Sequence, residues 1–90
     1  MAEAVTVLLP EALRRLFPGA PGQVDVVAGS VAEAIAALDG RWPGMRDRLC
    51  DSTPAIRRHL NIFVGGERAR LETTIPPGGE MIVMTWISGG

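Results

Sequence analysis

The chain has 90 residues, which makes one domain that buries only about 60–65% of its unfolded surface and leaves no room for a large substrate cavity. Its nine arginines and ten acidic residues give a net charge of −1, so the basic excess that a dedicated nucleic-acid binder needs is absent and proteins are the expected partners. A single cysteine, Cys50, excludes an internal disulfide and a multi-thiolate metal site, as suits a reducing cytosol.

The start, Met1-Ala2-Glu3-Ala4, lacks the positive region of a secretory signal, and no apolar run approaches about 18 residues. The expectation is a soluble, unprocessed, cytoplasmic protein without a membrane partner. Val5-Thr6-Val7-Leu8-Leu9 is β-branched and apolar and predicts a first strand closed by Pro10. Pro10 suits the first position of a short helical turn, with Leu13, Leu16 and Phe17 on one face. Residues 18–22, rich in Pro and Gly, form a loop. Gln23-Val24-Asp25-Val26-Val27 alternates as a second strand, antiparallel to the first and at one side of a sheet.

Ser30-Val31-Ala32-Glu33 reads as a capping box, in which the Ser30 and Glu33 side chains satisfy free amides at a helix start. Val31, Ala34, Ile35 and Leu38 form its apolar stripe, and Gly40 stands where a helix commonly ends. Trp42-Pro43-Gly44 breaks the chain, after which residues 45–50 make a short turn with Met45 and Leu49 inward. Cys50 reads as a small core or edge hydrophobe. Leu60-Asn61-Ile62-Phe63-Val64 is a strand, Gly65-Gly66 a hairpin turn, and residues 67–71 a charged return strand near an edge. Pro76-Pro77-Gly78-Gly79 breaks the chain again. The last strand, 81–87, is apolar on both faces and so belongs in the middle of its sheet. This order of elements is that of an α+β, β-grasp domain, a mixed sheet packed on one main helix, over residues 1–86. Residues 87–90 form a flexible tail ending in Gly89-Gly90.

At this point the residues resemble a known family, the ubiquitin-like sulfur carriers of the MoaD/ThiS type. The resemblance covers nearly the whole chain. It rests on Trp42-Pro43-Gly44-Met45-Arg46-Asp47-Arg48-Leu49, similar to the family's aromatic-Pro-Gly-Leu-Arg segment; on Leu60-Asn61-Ile62-Phe63-Val64-Gly65-Gly66-Glu67, similar to its Asn-Ile-Phe-Val-Asn-Gly-Glu hairpin; and on Gly89-Gly90.

Physical chemistry gives that tail a purpose. Glycines carry no Cβ, so the last two can thread a channel too narrow for side chains, with Gly89 supplying flexibility to Gly90. Extended, Ile87 to Gly90 spans roughly 13 Å. A terminal carboxylate with a pKa of about 3.5 is ionised at neutral pH, a poor electrophile but an adequate nucleophile toward the α-phosphate of ATP. The resemblance implies that a ubiquitin-activating-like adenylyltransferase, using ATP and Mg²⁺, forms an acyl-adenylate on Gly90. A sulfur donor then displaces AMP, and the resulting thiocarboxylate supplies an acceptor enzyme, for example in molybdopterin or thiamine biosynthesis. The chain is then a co-substrate that binds no cofactor or metal itself, and not an enzyme.

Partner docking is expected through exposed apolar sheet surface, with Phe63, Met84, Trp86, Ile87 and Ser88 as candidates; strand alternation sends about half of such residues inward. Arg57, Arg58 and His59, with Arg68 and Arg70, form a basic rim for an acidic partner or a merely solvated face. His59 has no carboxylate or serine at a suggestive spacing, and the acidic residues do not cluster as metal ligands. Two alternatives stand beside the free carrier: the small, non-catalytic subunit of a molybdopterin synthase, and a β-grasp interaction module without tail chemistry. The chain has no lysine, so its own side chains offer no site for modifiers that attach to lysine.

Overall fold

Five strands and three helices occupy residues 3–85, the part of the chain that the computed structural model describes. They run β1 (Ala4–Leu8), α1 (Glu11–Arg14), β2 (Gln23–Val27), α2 (Val31–Arg41), α3 (Met45–Leu49), β3 (Leu60–Val64), β4 (Glu67–Arg68) and β5 (Glu80–Thr85). The strands make one sheet in the order β2-β1-β5-β3-β4. β1 and β5 are parallel, and the other neighbouring pairs are antiparallel. This is the expected β-grasp arrangement, with the apolar β5 in the middle and β2 and β4 at the edges.

Alternation along each strand builds the core. Val5 and Val7, Val24 and Val26, Leu60 and Ile62, and Met81 and Val83 are all buried on one face of the sheet. Against them pack Val31, Ala34, Ile35 and Leu38 of α2, with Met45 and Leu49 of α3 extending the layer. The predicted helical stripe is therefore the face that closes the sheet.

The start of α2 is held from two directions. Ser30 is extended, and its hydroxyl accepts the Glu33 amide at 3.2 Å. The Glu33 carboxylate reaches one residue further back than a capping box requires and accepts from the Gly29 amide at 2.7 Å. The next two amides, of Val31 and Ala32, donate to the carbonyls of Thr73 and Leu71 at 3.0 and 2.9 Å. Donors that a helix leaves unpaired are thus satisfied by a segment some 40 residues away in sequence. That demand explains a departure from expectation at β4, which ends at Arg68 instead of continuing to 71. Ala69 still donates to the Ile62 carbonyl at 2.7 Å; beyond it the chain leaves the sheet to reach the end of α2.

Three smaller differences have local causes. The first strand is 4–8 and not 5–9, because the Leu9 amide turns to the Gly22 carbonyl at 2.9 Å. α1 is only four residues long, so Leu16 falls outside it and is 50% exposed, while Leu13 is buried and Phe17 packs partly on the core. α2 runs through Gly40 to Arg41; its end is set by Pro43 and by Asp39, whose carboxylate accepts the amides of Gly44 and Arg46 at 3.1 and 3.0 Å. At the β3–β4 hairpin, Gly65 and Gly66 have φ of +60° and +83°, the two positive values that a two-residue turn of this kind demands.

Candidate functional site

With α2 covering one face of the sheet, the other face remains open. Polar residues mark its parity: Thr6 in β1 and Glu80 in β5 are paired neighbours, and Thr6 also bonds across to Asp25 of β2 through its hydroxyl at 3.0 Å. Two residues further along, the same parity carries apolar side chains. Sheet register aligns Leu8, Ile82, Phe63 and Arg68 in a single row across β1, β5, β3 and β4. Met84 sits beside that row, opposite Asn61. Leu8, Ile82 and Phe63 are half-buried by one another, and Met84 is 50% exposed. Asn61 accepts from Arg68 Nε at 3.0 Å, giving the patch a polar border on the β4 side. An apolar centre with a polar rim is the make-up of a protein-docking surface.

Phe63 and Met84, candidates from the sequence, thus both lie on the open face and share it. Leu8 and Ile82 were not singled out. The signal was present in Thr6 and Glu80, whose outward position fixes the parity of Leu8, Ile82 and Met84, but β5 is apolar on both sides and its phase needs the partner strands. Trp86, Ile87, Ser88, Gly89 and Gly90 lie outside the described residues. The last described residue, Thr85, pairs with Leu60 and borders a groove of about 740 Å³ that also takes in Leu16, Arg48, Arg57 and His59.

The described residues hold no buried polar or charged side chain and no group of three His, Cys, Asp or Glu able to hold a metal. Cys50 is buried, and that burial pushes its thiol above the ordinary range, against the opposing pull of Arg46. Asp51 is held below the usual carboxylate range by the hydroxyl and amide of Thr53, with the Ala55 amide also donating to it. Asp51 thereby shapes the loop ahead of β3, a structural task. His59 is exposed at the groove below Thr85. No described helix is long and apolar enough to cross a membrane.

The fold and its open apolar face define a ubiquitin-like β-grasp protein. A chain of the Amycolatopsis orientalis BexX/CysO complex superposes with a TM-score of 0.85 and 27% identity, covering 96% of this chain and 99% of that one. CysO of Mycobacterium tuberculosis, described as an antigen, gives 0.81 and 26% identity over 92% and 99%. SAMP1 of Haloferax volcanii shares the fold, with 0.80 and 24% identity over 97% and 99%. No protein-family model and no curated protein sequence matches the chain. In structure as in its sequence motifs, the chain resembles the ubiquitin-like sulfur carriers of the MoaD/ThiS type.

Proposed function

We propose that this chain is a sulfur carrier whose Gly90 carboxylate becomes a thiocarboxylate. The reading rests chiefly on the match to CysO over almost the full length of both chains, at 27% identity. CysO is found there in complex with BexX, and this chain in turn offers an apolar face built from Leu8, Phe63, Ile82 and Met84 to a partner.

The chemistry divides between chain and partners. A carboxylate oxygen of Gly90 attacks the α-phosphate of ATP in a ubiquitin-activating-like adenylyltransferase, with Mg²⁺, and pyrophosphate leaves. Hydrosulfide released by a sulfur donor then attacks the activated carbonyl carbon and AMP leaves, giving the thiocarboxylate that the acceptor biosynthetic enzyme consumes. The open face docks on these enzymes, and the tail, Ile87 to Gly90, delivers the reacting atoms. The carrier performs no catalysis of its own.

Incubation with an activating enzyme, ATP, Mg²⁺ and a sulfur donor should add the mass difference between sulfur and oxygen at Gly90. The product should react with a thiol-type alkylating agent in a Cys50→Ser variant, where no thiol remains. An unmodified Gly90 acid under all these conditions would refute the reading and leave an interaction module. A co-purifying large subunit would assign the chain to a molybdopterin synthase.

A further inference from the structure

The basic residues that the sequence scatters over two segments converge in space. Arg57 and Arg58 precede β3, and Arg68 and Arg70 follow the β3–β4 turn, yet all four line one groove of about 850 Å³. Glu72 is the only acidic residue among the described ones that line it, so these carry +3 while the whole chain carries −1 and the remainder therefore −4. Among the described residues the only ion pair is Glu11–Arg15, on another part of the surface, so none of the four guanidiniums pairs with a described carboxylate. Four positive charges set against one negative favour a negative ligand.

The groove is also preformed. One wall, the loop before β3, is tied down by the Arg57 amide on the Leu49 carbonyl at 3.0 Å and by Arg57 Nε on the Asp47 carbonyl at 2.8 Å. In the other wall Arg68 is braced by Asn61, and the Arg70 amide donates to the Thr73 hydroxyl at 2.8 Å. Between the walls, Ile56 and Leu71 are half-buried and leave part of their surface in the groove. A floor that is apolar under a cationic rim suits a ligand with both kinds of side chain. Among the described residues no aromatic side chain lines it, so they offer no platform for the stacking on which single-stranded nucleic acids depend.

We propose that this groove, which meets the open sheet face at Asn61 and Arg68, is a docking site for an extended acidic peptide segment of a partner protein, its apolar side chains meeting Ile56 and Leu71 and its carboxylates meeting Arg57, Arg58, Arg68 and Arg70. The site does not depend on sulfur transfer. It gives the chain a second handle by which a partner holds it while the tail is engaged elsewhere. Fixed walls lower the ordering cost of binding, and the net positive charge sets the preference for acidic over basic segments.

The test is an amide NMR titration of the isotope-labelled chain with an unlabelled nine-residue peptide of alternating Glu and Leu, with a Lys-Leu peptide and a single-stranded oligonucleotide as comparisons. Shifts should fall on residues 55–62 and 68–72, and affinity should drop severalfold between about 50 and 200 mM NaCl as the charges are screened. Arg58→Glu with Arg70→Glu, both at exposed positions, should weaken binding by about tenfold or more without altering the rest of the spectrum. A chain lacking Gly89 and Gly90 should bind the peptide unchanged, so loss of sulfur chemistry and loss of this site are separable. Shifts confined to Leu8, Ile82 and Met84, equal affinity in the charge-reversed variant, or tighter binding of the oligonucleotide or the Lys-Leu peptide would overturn the proposal.

Discussion

The two faces of β5 make an instructive pair. Met81 and Val83 point to one side and Ile82 and Met84 to the other, and all four are apolar. The first two are at most 2% exposed, because they lie on the sheet face that joins Ile35 and Leu38 of α2 in one core, whereas Ile82 is half-buried and Met84 is 50% exposed. Hydrophobicity alone therefore does not separate a core from a docking face. The single helix of the β-grasp covers only one side of the sheet, and apolar residues on the other side have gained no stability from it, which leaves them available to a partner.

That contrast can be broken most directly from the closed side. Leu38→Ala should lower stability by about 2–4 kcal/mol, through lost transfer energy and the cavity left under the sheet. Urea denaturation showing a change below about 0.5 kcal/mol would mean that α2 does not close this face. Next in size is the cap that places the helix: Ser30→Ala removes the acceptor for the Glu33 amide and should cost about 1 kcal/mol, read from the same melts.

On the open side the expected effect is smaller. Met84→Ser should change stability by no more than about 0.5 kcal/mol, as for other exposed positions, while weakening capture by the activating enzyme in a binding assay. A stability loss as large as that of Leu38→Ala would place Met84 in the core. The smallest signal is sought at Cys50. Its folded-state pKa lies above that of the unfolded thiol, so burial contributes stability that is present below the ordinary thiol pKa and is lost as pH rises through the folded value. Iodoacetamide should therefore label native Cys50 slowly at pH 7, faster as pH climbs, and fully in urea. Rapid labelling of the native chain at neutral pH would show that this side of the core is open.

Much of this was legible in the amino-acid order. Val24 and Val26 alternating with Gln23 and Asp25, the stripe from Val31 to Leu38, the Gly65-Gly66 turn and the doubly apolar 81–87 segment each carry a local physical signal, so the elements and the central place of the last strand follow from them. The motif around Trp42 and that around Phe63 pointed to the family. What was missed depends on contacts between distant segments. The truncation of β4 follows from the demand of the Val31 and Ala32 amides for carbonyls at Thr73 and Leu71, and no pattern within 67–71 announces it.

Sequence alone thus determined the β-grasp class, the helix face that makes the core, and the diglycine that motivates the carrier reading, because periodicity, turn chemistry and the missing Cβ of glycine are properties of neighbouring residues. Only the tertiary structure decided which apolar residues are left for partners and which arginines act together. Leu8, Ile82 and Phe63 meet because three strands adopt one register, and Arg57 and Arg58 face Arg68 and Arg70 because the hairpin folds back toward the start of α2. Both are long-range pairings, fixed by burial and hydrogen bonding across the whole domain.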